Sequence, residues 1–250
     1  MGSGAGTVKG PWDPWATAGF TALIALAFLA AQTALAIPYV MFKVASSPDK
    51  DVDRALAALE SDGSFLGVAE IVGGLIAVAL TVLIVWLRRG PRIREYLALR
   101  AGPRAVLLRW LLGAAVLAAL LDGVAYLFGY PVIPDWVEEV YRTAVFLPLL
   151  ILAFVVVAPM VEEVVVRGFL FEGLRHSRLG DAGTIVLASL AWAVVHMQYE
   201  WFYIGQVFVV GLLLGAARSW TGSLIPPIAM HALYNAIGTL QAALQSWRSG

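Results

Sequence analysis

Runs of apolar residues long enough to cross a bilayer constrain this chain more than any other feature. A helix needs about 20 such residues to span the hydrocarbon core. Residues 16–42 form a first run, interrupted only by Gln32, Thr33 and Pro38, and 65–87 and 105–129 form two more. From 143 an apolar stretch runs to 161, meets Glu162, Glu163 and Arg167, and continues helix-like to 174. Three further runs follow at 183–198, 203–220 and 224–245. The pattern predicts an all-α polytopic transmembrane helical bundle of about seven spans. Residues 1–142 hold the N-terminal spans with an outer loop and a basic cytoplasmic loop. Residues 143–245 form a second helical unit within one integrated membrane domain.

Composition supports the same class. The chain is 60% hydrophobic and 14% charged, where average domains run about 45–50% apolar and about 25% charged. That excludes a soluble enzyme and a nucleic-acid binder with a basic face, and makes the lipid bilayer a partner. Seventeen Lys and Arg balance seventeen Asp and Glu, so no net field steers an acidic ligand. With no cysteine, disulfides, Cys-ligated zinc and a cysteine nucleophile are all excluded. Ala34-Leu35-Ala36 has the look of a signal-peptide cleavage site, yet the apolar run is longer than such a peptide's and Asp13 offsets Lys9, so the first span is read as retained. Gly6 argues against myristoylation at Gly2, and the Gly/Ser stretch at 2–6 is a loose tail.

Arginine placement sets the orientation in the cell membrane. Arg88, Arg89, Arg92, Arg94, Arg100, Arg104 and Arg109 mark the 88–109 segment as cytoplasmic. By alternation the N-terminus and the loops after Arg175 and Arg218 share that side, while the acidic 43–64 loop and 131–142 face outward. Within the outer loop, Val52, Leu56 and Leu59 make one stripe of a short amphipathic helix, a surface helix on the bilayer or a lid over a substrate entrance.

Ionisable side chains within a span cost about 2.5–3.5 kcal/mol each on insertion scales, so they need partners or a purpose. Glu70, Arg109 and Asp122 are three of them. Glu163 and Arg167 stand at i, i+4 with the acid first, the favoured polarity for a pair on one helix face. Glu162 points about 100° away and must find its partner on another helix. Trp192 and His196 repeat the i, i+4 spacing, which sets an aromatic wall beside an imidazole, and so do His231 and Asn235. At about 1.5 Å per residue, Glu162 and His196 lie about 20 Å from the cytoplasmic boundary and the last pair about 10–17 Å, close enough in depth to share one chamber. An unpaired Glu, two His and an Asn supply a base, an acid and oxyanion donors for hydrolysis. The same residues also serve as helix–helix hydrogen bonds, as a packing clamp or as the proton relay of a coupled transporter, and spacing leaves those alternatives open.

Three motifs in register add a resemblance. Glu162-Glu163-Val-Val-Val-Arg167 reads as EExxxR, Trp192-Ala-Val-Val-His196 stands where FxxxH is expected, and His231-Ala-Leu-Tyr-Asn235 reads as HxxxN. They resemble the CPBP family, the CAAX proteases and bacteriocin-processing enzymes that include the Rce1-type prenyl endopeptidases, over residues 143–240. The resemblance implies a glutamate-dependent intramembrane endopeptidase acting on a peptide or protein at the membrane. Glu162 would be the base that activates water, and His196 would help hold that water. His231 and Asn235 would steady the oxyanion, with Glu163 and Arg167 as the supporting pair. Trp192 departs from the expected Phe, which keeps the aromatic wall and enlarges it. A non-catalytic immunity or scaffold protein that keeps the motif for packing is the further alternative.

The family is commonly labelled metalloprotease, and Glu162, His196 and His231 would supply three ligands to a zinc ion with one open position. A zinc-bound Glu162 is not free as the base, which favours water activation by the Glu/His pair. Other intramembrane protease classes fit worse. There is no HExxH helix, no GxGD motif, and Ser223 lies in Thr-Gly-Ser-Leu without a second glycine.

Overall fold

A computed structural model describes residues 10–88 and 92–249, with side chains to residue 245. The tail at 2–6, Gly2, Lys9 and Arg89 lie outside the described residues. Among the described residues ten helices run in order: α1 (Pro14–Ser46), α2 (Val52–Leu59), α3 (Gly63–Leu87), α4 (Ile93–Tyr96) and α5 (Arg104–Leu127), then α6 (Asp135–Thr143), α7 (Leu147–Leu174), α8 (Gly180–Val194), α9 (Trp201–Thr221) and α10 (Ile225–Ser249). No strand occurs among the described residues.

Local chemistry sets the helix ends. Asp13 caps α1 by accepting from the Trp15 and Ala16 amides at 3.1 and 3.0 Å, with Pro14 at the first helical position where its missing N–H costs nothing. Asp62 caps α3 through the Phe65 amide at 3.0 Å. Gly222 ends α9 in the left-handed conformation (φ 60°), which a side chain would strain.

Among the described residues five helices, α1, α3, α5, α7 and α9, are long and apolar enough to cross a membrane, and the chain is a multi-pass membrane protein. The two other sequence-predicted spans differ in kind. α8 stops at Val194 rather than 198 and has 15 residues, about 22 Å of helix. α10 has 25 residues, but Tyr234, Asn235, Gln241 and others make it too polar. Its polar groups meet protein rather than lipid, so its sequence need not be apolar all round.

α7 runs through the middle, packed on α1, α3, α8, α9 and α10. A core joins the two halves of the chain, with Ile24, Ala77 and Ile84 against Val161, Val164 and Phe169. Along the best apolar window, 39% of residues are buried in α3, α7 and α9, against 6% in α1 and 11% in α5, so those two are peripheral. On α5 the exposed Leu108, Leu112, Val116, Leu120 and Val124 recur every fourth residue as one lipid-facing stripe, while Ala114, Ala118, Leu121 and Ala125 face inward.

The loops gather at two ends. At one, Trp136 donates to the Glu60 carbonyl at 2.9 Å and the Thr143 hydroxyl bonds Ser61 and Gly63. At the other, the Leu224 amide donates to the Ala98 carbonyl and Arg88 to Gly10. This grouping matches the two sets of loops that arginine placement separates.

Candidate active site

The three motif-bearing segments, on α7, α8 and α10, meet around Trp192. Two π-helical stretches, Leu152–Val157 and Val164–Leu170, interrupt α7 on either side of Glu162 and Glu163. The first has a visible cause in Pro159, which offers no N–H. Such interruptions leave carbonyls without their usual donors, and side chains from other helices supply them. Asn235 Nδ2 donates to the Phe154 carbonyl at 2.8 Å, and Arg218 Nε donates to the Arg167 carbonyl at 3.0 Å.

Glu163 and Arg167 form an ion pair at 2.9 Å, with side chains 0% and 1% exposed. The same carboxylate oxygen accepts from His231 Nδ1 at 3.0 Å. Arg167 also donates to the Gly211 carbonyl at 3.3 Å and lies 4.5 Å over the Trp192 ring. His231 is thus oriented by Glu163, and its Nε2 is the ring nitrogen left over. Arg218, as buried as Arg167, continues the network to Glu172 at 2.9 Å.

Glu162 is half-buried, and its Oε2 accepts the indole N–H of Trp192. Trp192 touches both histidines edge-on, with ring centroids 5.1 Å from His196 and 5.2 Å from His231. His196 lies two residues beyond the last residue of α8, not inside the span that the apolar run suggests. The physical reason is local. Its Nδ1 takes the Trp192 carbonyl at 2.8 Å, the acceptor its own amide would use in an α-helix, and that amide turns instead to Ala193 at 3.1 Å. A carbonyl only accepts, so Nδ1 carries the proton and Nε2 is free. Tyr199 stacks on the ring at 6.0 Å, and burial together with the charge of Glu162 holds its phenol well above the ordinary value, hence neutral.

Close helix approach makes this convergence possible. A Cβ on Gly211 would lie 2.9 Å from Ser189 Cβ and 3.1 Å from Trp192 Cε3, so glycine lets α9 pack against the face of α8 that carries the indole. On α3, a Cβ at Gly74 would lie 2.7 Å from Val161 Cγ2. One turn earlier, Glu70 comes within electrostatic range of Glu162.

The structure therefore brings Glu162, Trp192, His196 and His231 to one place, with Asn235 one turn further along α10. It joins His231 to Glu163 and Asn235 to Phe154, relationships no spacing rule predicts. Tyr199 and Arg218 were not singled out as site residues. Arg218 had a signal, a cation inside an apolar run, whereas Tyr199 had none. Among the described residues, no three His, Asp or Glu side chains form a group that could hold a metal ion.

Residues 143–237 are similar to the family described as type II CAAX prenyl endopeptidase Rce1-like. The chain is also similar to the uncharacterized protein YpbD of Bacillus subtilis, 30% identical over 81 residues, which is 32% of this chain and 41% of that protein. An uncharacterized 24.3 kDa protein of Escherichia coli is 28% identical over 133 residues, 52% of this chain and 56% of the relative. The chain spans about half the length of these curated relatives. No solved structure matches it.

Proposed function

We propose that this protein is a glutamate-dependent endopeptidase that hydrolyses a peptide bond presented at or within the bilayer of the cell membrane, with the N-terminus cytoplasmic. The observation that carries the reading is the junction at Trp192. One residue donates its indole N–H to Glu162 and binds the His196 imidazole through its carbonyl. A carboxylate and a free imidazole nitrogen are thereby held by the same side chain and backbone.

In the proposed reaction Glu162 takes a proton from water as the water oxygen attacks the peptide carbonyl carbon, and His196 Nε2 helps hold that water. The C–N bond then breaks, and the proton held by Glu162 passes to the leaving amine. The oxyanion is steadied by the second Nδ2–H of Asn235, the first being committed to Phe154, and by His231. Glu163 and Arg167 orient His231. No step is routed through a metal.

The test is mass spectrometry of peptide termini in membranes carrying the wild-type protein or Glu162→Ala. New termini are expected only with the wild type, while both proteins remain folded and membrane-inserted. Termini that persist in Glu162→Ala would remove the mechanism. Proton-coupled flux in liposomes without new termini would establish the transporter instead.

A further inference from the structure

Asp122, one of the carboxylates that stand out within the apolar runs, has no part in the water-activating set. It sits five residues before the end of α5 and lines a cavity of about 160 Å³. The cavity lies between α5, α6, α9 and α10. Asp122 Oδ2 accepts from Gln241 Nε2 at 2.6 Å, and among the described residues it has no ion-pair partner. Four further lining residues are Tyr141, Tyr199, Tyr203 and Tyr234, and among the described residues no Lys, Arg or His lines the cavity.

A carboxylate within a spanning helix is costly without a cation. Tyrosine rings that line one cavity with a carboxylate are the chemistry that recognises an ammonium or guanidinium group. Size agrees, because a cavity of about 150 Å³ holds a benzene-sized group, comparable to the end of a lysine or arginine side chain. Position agrees as well. The cavity wall includes Asn235 and Phe154, joined at 2.8 Å, and Tyr199, stacked on His196.

We infer that this cavity is a subsite for an organic cation, the side chain of a basic residue flanking the bond that is cut. The inference rests on the peptidase reading above and narrows its substrate. Asp122 repels a free C-terminal carboxylate, so the occupant is a basic side chain rather than the chain end of a C-terminal tripeptide. A choline headgroup shares the cationic chemistry. A tethered basic residue is favoured because Asn235 belongs both to the cavity wall and to the proposed oxyanion site.

The experiment uses the purified full chain carrying Glu162→Ala, so that bound peptide is not consumed. The probes are blocked pentapeptides of alanine with lysine, norleucine or glutamate at the centre, and phosphocholine. The lysine peptide is expected to bind about tenfold or more tightly than the norleucine peptide, with glutamate weakest. Adding Asp122→Asn removes the lysine preference. Tyr199→Leu, which leaves Asp122 in place, weakens lysine binding more than norleucine binding and serves if the Asp122 variant does not fold. Equal binding of all peptides, no binding, or a preference that survives both variants overturns the subsite. Binding of phosphocholine with no peptide preference assigns the cavity to lipid and also overturns it. In wild-type membranes, Glu162-dependent termini without Lys or Arg enrichment near the cut sink the subsite alone, whereas the absence of Glu162-dependent termini sinks the peptidase reading.

Discussion

Asn235 supplies the Phe154 carbonyl with a donor that the chain around Phe154 cannot provide. The Ala158 amide reaches back to Ala153 in the π register, and residue 159, next in line, is proline. A side chain on α10 thus completes the backbone of α7 two turns before Glu162, and the amide has both a structural and a proposed chemical task.

Asn235→Ala is expected to cost about 1–3 kcal/mol, because a half-buried carbonyl loses its partner. Asn235→Asp, which has no N–H to give, should lose as much. Thermal unfolding in detergent measures both. An unchanged midpoint in both variants would mean that another group satisfies Phe154.

Trp192→Phe restores the aromatic residue that the FxxxH pattern expects, removes the indole donor to Glu162 and trims the ring that Arg167 and both histidines touch. The fold should survive, while kcat falls about tenfold to a hundredfold, the worth of a hydrogen bond to a charged group. KM stays near the wild-type value, since the indole holds the base and not the substrate. Steady-state kinetics separates the two, and a change confined to KM would place Trp192 in substrate binding.

Arg167→Met should destabilise the protein by about 3–5 kcal/mol, because it takes the guanidinium from a carboxylate that is 0% exposed and leaves it the His231 imidazole. The double variant Glu163→Gln/Arg167→Met should lose less than the sum of the singles, since removing both charges leaves no carboxylate without its guanidinium. Additive losses in a double-mutant cycle would mean that the two side chains act independently.

Asp62, at the end of the bundle away from Ala98 and Leu224, gives a pH-dependent prediction. Burial raises its pKa, but the Phe65 amide, the Tyr39 hydroxyl at 2.8 Å and the Lys43 ammonium at 3.1 Å outweigh burial and hold it below the ordinary value. A lowered folded-state pKa means that its stabilisation is present above the unfolded value of about 3.9 and is lost as pH falls through the folded value. Asp62→Asn should therefore unfold at a lower temperature than wild type at pH 6, and the gap should close below about pH 4. A gap that stays constant with pH would show that the carboxylate's charge is not what matters.

Periodicity alone accounts for everything that lies within one helix. Residues four apart share a face whatever surrounds them, so the Glu163–Arg167 pair, the Trp192–His196 contact and the common direction of His231 and Asn235 are consequences of local geometry. Apolar run length likewise yields the five spanning helices and an all-helical bundle. The same reasoning overextends α8, because a histidine side chain that takes its own helix's carbonyl looks no different in a hydropathy pattern from one that does not.

Relationships between helices depend on rotation and depth, and these follow from which surfaces can approach. The missing Cβ atoms of Gly74 and Gly211 let α3 and α9 come close, and two π segments re-aim the side chains of α7. Those contacts choose Trp192 as the partner of Glu162, pair His231 with Glu163 and set Asp122 against Gln241 in a cavity that tyrosines also line. Residue spacing specifies angles around one axis, whereas pairing across axes requires every helix to be packed at once.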